Sequence, residues 1–171
     1  MIPTLETERL RLRAHTLADF DALAAMWANP DVVRFITGKP SPREESWGRL
    51  LRYPGMWALL GHGFWAIEEK ATGQFVGEGG FGSFMREIEP AITAPEQGWA
   101  LAPVAHGKGY AFEAVSAMIA WGEAHFGRRD FMCIISPQNG PSIRLAQKLG
   151  YSELARTMYK GEPTVMFQRP A

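Results

Sequence analysis

Two glycines and a lysine stand together in the second half of the chain, in His106-Gly107-Lys108-Gly109-Tyr110-Ala111-Phe112-Glu113-Ala114. The stretch from Ala111 to His125 reads as the longest helix of the protein, with Phe112, Val115, Ile119 and Phe126 along one side. The first turn of a helix leaves backbone N–H groups without partners, and a Ser, Thr, Asp or Asn usually caps one or two of them. Here glycines occupy the cap positions. Glycine allows the backbone to approach a ligand closely, Lys108 adds positive charge, and the helix end adds its own, so the stretch reads as a cradle for phosphate. A tight glycine turn covered by water is the plainer alternative. The lysine of a P-loop is followed by Ser or Thr, whereas Lys108 is followed by Gly109. A dinucleotide fingerprint asks for a third glycine where Phe112 stands, yet Asp130 lies where its ribose-binding acid is expected, which leaves that reading open.

The other reactive side chains are sparser. Cys133 is the single cysteine and lies in the apolar run Phe131–Ile135, so it forms no internal disulfide and is expected to pack. His15, His62 and His125 show no metal-ligand spacing and no HExxH occurs, so no metal is expected. Glu78 and Glu96 are carboxylates on or beside predicted strands, suited either to proton transfer or to a solvated strand edge. Trp47, Trp57, Phe64 and Trp65 make the middle of the chain aromatic, which suits a core and, in part, a pocket wall.

Hydrophobic periodicity supplies the elements that must position these groups. Arg9 to Arg13 alternates strictly, as a half-buried strand does. Asp19 precedes Phe20, Leu23, Ala24 and Trp27, the spacing of an amphipathic helix, which Asn29-Pro30 ends. Thr37 to Pro42 is a loop, and Glu44 to Leu60 predicts a helix broken near Pro54-Gly55. Phe64–Ile67 and Phe75–Glu78 flank Lys70-Ala71-Thr72-Gly73 as a β-hairpin. The turn-rich segment 85–95 leads into the short strand Gly98–Leu101. Phe131–Ile135 reads as a buried strand, Pro141–Leu149 as a helix closed by Gly150, and Thr164–Gln168 as a last strand. The order predicts a mixed α/β (α+β) sheet flanked by helices, without the strict alternation of a doubly wound fold. No repeat or linker divides residues 1–171, which are expected to form one domain.

Composition excludes several classes. In 171 residues, 18 Lys and Arg balance 18 Asp and Glu, which argues against a nucleic-acid partner. No apolar stretch approaches the roughly 18 residues that a membrane span requires, and acids interrupt the N-terminus where a signal peptide would be apolar. A cytoplasmic setting is the expectation.

The loop also resembles that of a known family. His106-Gly107-Lys108-Gly109-Tyr110-Ala111 is similar to the acyl-CoA pyrophosphate loop of GNAT N-acetyltransferases, Gln/Arg-x-x-Gly-x-Gly/Ala, with His106 in place of Gln or Arg. Pro103-Val104-Ala105 before it and Phe112-Glu113-Ala114 after it resemble the branch of ribosomal-protein N-terminal acetyltransferases (RimJ/RimL-like). Asn139-Gly140-Pro141-Ser142-Ile143 with Lys148-Leu149-Gly150-Tyr151 resembles that branch's Asn-x-x-Ser…Lys-x-Gly-Phe segment, and Thr7–Arg13 and Asp31–Phe35 match in kind. The resemblance implies a GNAT fold whose mostly antiparallel sheet is splayed between the strands before and after the loop's helix. Acetyl-CoA is the implied co-substrate, held by the N–H groups near Leu101 and Val104, by His106, Gly107, Lys108, Gly109, Tyr110 and Ala111, and by Asn139 and Ser142. A primary amine, a protein N-terminus or a small molecule, is the implied acceptor. Glu96 is the implied base, with Glu78 as alternative. Many relatives place an acidic Tyr where Ala146 stands, so Ser142 is the candidate proton donor, or it only assists the start of its helix. A CoA-binding module without turnover is the rival reading, and dimers are common in the family.

Overall fold

A computed structural model describes residues 1–171. The chain opens with β1 (Leu5–Glu6) and β2 (Leu10–Arg13), followed by α1 (Phe20–Ala28), α2 (Pro30–Val33) and α3 (Arg43–Leu60). Strands β3 (Phe64–Glu69), β4 (Gln74–Gly82) and β5 (Glu96–Leu101) come next, then α4 (Tyr110–Phe126), β6 (Met132–Ile135), α5 (Gly140–Lys148), β7 (Ser152–Tyr159) and β8 (Glu162–Gln168). All eight strands join one sheet in the order β1-β2-β3-β4-β5-β6-β8-β7. Every pairing is antiparallel except β5 with β6. The mixed, helix-flanked sheet agrees with the class that the pattern predicts.

Apolar alternation along β5 divides the core between the two faces of the sheet. Leu101 joins Tyr110, Val115 and Met118 of α4 in the main cluster, whereas Ala100 joins Trp27, Leu50, Tyr53 and Phe64 under α1 and α3. A third, smaller cluster of Ile88, Ala94, Met132 and Met166 lies beneath the loop 83–95.

Four expectations change. Helix α3 runs unbroken through Pro54 to Leu60. Leu50, Tyr53, Met56 and Trp57 are buried along one face across the proline, so packing carries the helix through the missing hydrogen bond. Val115 and Ile119 of α4 are buried as expected, but Phe112 is 37% exposed, because it lies at the edge of the buried face that Tyr110, Ala114, Val115, Met118 and Ile119 form. The short β1 lies outside the predicted elements, since two residues carry no periodicity. So does β7, an edge strand whose residues are mostly exposed on both faces and so carry no strong alternation.

Candidate active site

Parallel strands β5 and β6 pair at a single register, Glu96 opposite Met132, with the Met132 N–H donating to Pro95 O at 3.1 Å. Beyond that point they part. The Ala102 N–H donates to Val76 O across β4, so by alternation Ala100 and Gly98 also point their backbone groups at β4. Trp99 and Leu101 therefore turn theirs toward the opening, where β6 offers no partner. The Leu101 carbonyl lies 2.9 Å from His106 Nε2. His106 is thus fixed by its ring to the strand that it follows. Val104 stands exposed in the 3-10 turn Pro103–Ala105.

The loop at the mouth of this opening consists of donors. Gly107 and Gly109 have φ of 72° and 77°, a left-handed conformation that glycine adopts without strain. No side chain caps α4, and the backbone N–H groups of Gly107, Lys108, Gly109, Tyr110, Ala111 and Phe112 find no acceptor within the protein. A Cβ on Gly107 would meet nothing within 4 Å, so that surface is open. Six amides and the positive end of a helix of 17 residues face the same opening, an arrangement that favours negative charge there, and glycine leaves the backbone exposed. Lys108 contributes less than its position suggests, because its ammonium is 3.6 Å from Glu69 and 5.4 Å over the Tyr110 ring. Tyr110 likewise donates its hydroxyl to Glu69.

The loop is tied to the start of the chain by groups that local pattern does not reveal. Glu113 accepts from Thr7 Oγ1 at 2.6 Å, from the Arg9 N–H at 2.7 Å and from Arg9 Nε at 2.7 Å, while Arg9 Nη1 holds the Lys108 carbonyl at 2.8 Å. Burial opposes ionisation of Glu113, but the Thr7 hydroxyl and the Arg9 N–H and guanidinium outweigh it and hold the carboxyl below the usual range.

The other arm of the opening ends in α5. Asn139 is its cap, with Oδ1 accepting the Ser142 N–H at 3.3 Å. The helix is therefore started by Asn139, and the Ser142 side chain is half-buried beside it. Ala146 is fully buried against the sheet. Tyr151 is also buried, and its hydroxyl donates to Gln97 Oε1 at 2.5 Å; burial pushes its ionisation well above the ordinary tyrosine range, so it packs and orients rather than titrates. Cys133 is buried, and that burial, with Glu96 nearby, pushes its thiol up and out of reach of thiolate chemistry.

Both candidate carboxylates lie on the face of the sheet opposite α4. Glu78 is 1% exposed; its Oε1 accepts from Trp27 Nε1 at 3.0 Å and from the Tyr53 hydroxyl. His15 Nε2 stands 3.6 Å from Oε2, and neither that oxygen nor either ring nitrogen has a hydrogen-bond partner. Burial, reinforced by the neighbouring Glu78 charge, pushes the Tyr53 hydroxyl far above its ordinary range, so Tyr53 remains a donor. Glu96, 5% exposed, sits at the vertex where β5 and β6 part, under the loop 83–95. Arg86 of that loop donates to it through Nε at 2.9 Å to each oxygen and through Nη2 at 2.8 Å. Burial works against the Arg86 charge, but the carboxylate more than offsets it and holds the guanidinium above its usual range.

The chain's similarity to known proteins extends over most of its length. The model of the acetyltransferase (GNAT) domain matches residues 9–152. The chain belongs to the GNAT acetyltransferase family. It is 30% identical to the uncharacterized N-acetyltransferase p20 of Bacillus licheniformis, over 88% of this chain and 83% of that one. An acetyltransferase from Agrobacterium tumefaciens superposes with a TM-score of 0.82 at 30% identity, covering 98% of this chain and 94% of its own. The fold is shared with RimL, a ribosomal L7/L12 alpha-N-protein acetyltransferase solved in complex with coenzyme A, at a TM-score of 0.78, 16% identity and 98% coverage of both chains. This GNAT protein is therefore an acyltransferase, and it has no helix long and apolar enough to cross a membrane.

Proposed function

We propose that the protein transfers the acetyl group of acetyl-CoA to a primary amine by direct attack. The observation that carries this reading is the run of unpartnered N–H groups from Gly107 to Phe112 at the mouth of the β5–β6 opening, which fits a pyrophosphate. The coenzyme A bound to RimL supports the same choice of co-substrate. The pantetheine would lie along the free backbone edge of Trp99 and Leu101, toward Val104, with Asn139 and Ser142 on the opposite arm. His106 orients the strand end through Leu101, and Lys108, Tyr110 and Ala111 complete the loop.

The amine nitrogen attacks the thioester carbonyl, the C–S bond breaks, and two protons must be handled: one leaves the attacking nitrogen and one reaches the CoA sulfur. Glu96 takes the first in this reading. It stands at the vertex of the opening, whereas Glu78 already accepts from Trp27 and Tyr53 and faces His15 beneath α1 and α3. Glu78 then serves to hold that packing together. Ser142 supplies the second proton, since Ala146 has no group to give. The acceptor is a protein N-terminus, as in the RimL likeness, or a small amine.

Thermal unfolding with and without acetyl-CoA tests the co-substrate. Saturation at a hundred times Kd adds about 2.7 kcal/mol, which is roughly 5–10 °C for a domain of this size. Amine-dependent release of free thiol then tests transfer. No shift with acetyl-CoA, or a shift with NAD instead, overturns the assignment; binding without thiol release across an amine panel leaves only a CoA-binding module.

A further inference from the structure

We infer that Arg86 is a positioning residue for the transfer reaction, its guanidinium holding the Glu96 carboxylate in the orientation that receives the acceptor's proton. The inference rests on the reading of Glu96 as base and extends it to a residue outside the family motifs discussed above. Arg86 belongs to the irregular loop 83–95, ten residues before Glu96, and each of its guanidinium nitrogens donates a hydrogen bond. Nε and Nη2 grip Glu96, while Nη1 donates to the Tyr159 hydroxyl at 3.1 Å. Two rings pack against the guanidinium, Cζ being 4.6 Å from the Phe84 centroid and 5.1 Å from that of Tyr159. The fork is thereby fixed in plane and in direction. A loop, the vertex of the opening and the end of β7 meet in one cation.

Anchoring of the loop does not explain this expense of contacts. Ile88 and Ala94 already seat the loop on Met132 and Met166. An ion pair largely withdrawn from water contributes little net stability, because desolvation offsets attraction. What the guanidinium alone supplies is orientation: two oxygens bound by a planar fork have one rotational setting, whereas a free glutamate samples several. The Met132 thioether and Cys133 on β6 leave no other charged group on the neighbouring strand to do so.

The test is a double-mutant cycle on the full-length protein, with Arg86→Met, Glu96→Gln and both together, read as kcat, KM for the amine and Kd for acetyl-CoA. Misplacing a catalytic group by about 1 Å costs up to roughly 100-fold, so Arg86→Met is expected to lower kcat about 10- to 100-fold with acetyl-CoA affinity unchanged. In the Glu96→Gln background the same change is expected to have no further effect on kcat. Losses that multiply in the double variant overturn the inference, since Arg86 then acts on its own, and so does a full-rate Arg86→Met. A full-rate Glu96→Gln overturns instead the underlying reading of Glu96 and takes the inference with it. Should Arg86→Met fail to fold, Arg86→Lys, which keeps the charge without the fork, serves in its place and is expected to lower kcat in the same pattern.

Discussion

Single residues at this site are judged by what their polar atoms already touch. Gly109 adopts φ of 77° beside unpartnered amides, and a Cβ there would lie 3.5 Å from Arg9 Nη2. Gly109→Asp therefore introduces left-handed strain, about 1–2 kcal/mol, and a negative charge among the amides proposed to hold the pyrophosphate. Its Kd for acetyl-CoA, followed by calorimetry, is expected to rise about tenfold or more while the melting temperature falls by only a few degrees; unchanged affinity would remove the phosphate assignment. Glu78 and Glu96 show how little residue type decides alone. The two carboxylates share a face of the sheet, yet one is enclosed by Trp27 and Tyr53 and the other is gripped by Arg86 at the vertex.

At the scale of elements, helix α3 is held by its buried face against the local cost of Pro54. That residue is exposed and has no N–H for the Leu50 carbonyl, while Tyr53, Met56 and Trp57 pack on the sheet beside it. Restoring the donor with Pro54→Ala is expected to stabilise the protein by about 1–3 kcal/mol. Thermal unfolding should show a rise of several degrees, with acetyl-CoA affinity unaltered. A lower melting temperature would mean that the rigid proline, by restricting the unfolded chain, outweighs the missing bond. Helix α4 presents the opposite case. Its N-terminus is left without a cap, and the Thr7–Arg9–Glu113 knot fixes the approach of the chain instead.

Across the whole molecule, carboxylates anchored to arginines hold the chain both locally, as at Asp19, and over long range, as at Glu113. Asp19 pairs with Arg13 at 2.8 Å, and although burial opposes its charge, Arg13 and the Thr16 N–H hold its carboxyl below the ordinary 3.8. Glu113 is likewise held below its ordinary 4.5 by Thr7 and Arg9, again against its burial. Both groups have folded pKa values below their unfolded ones, so each contributes stability that is complete above the unfolded value. That contribution is lost as pH falls below about 4.5 toward the folded values. Denaturant midpoints are therefore expected to be flat in this respect above pH 5 and to fall below pH 4.5. Asp19→Asn and Glu113→Gln should each flatten the acid limb, measured as midpoint against pH. An unaltered limb in both variants would place the acid sensitivity elsewhere.

The sequence by itself determined what is local. The glycine loop, the helix after it, the hairpin over residues 64–78 and the buried strand near Cys133 are each set by neighbours in the chain, so propensity and periodicity expose them. An edge strand such as β7, mostly exposed on both faces, writes no such pattern. Only the tertiary structure decided which side chains meet. Arg86 finds Tyr159 at 73 residues' separation and Arg9 finds Glu113 at 104, distances over which residue type carries no information about contact. The opening between β5 and β6 is of the same kind. It arises where two strands pair at one register and then diverge, a property of the sheet's twist and packing that neither strand holds alone.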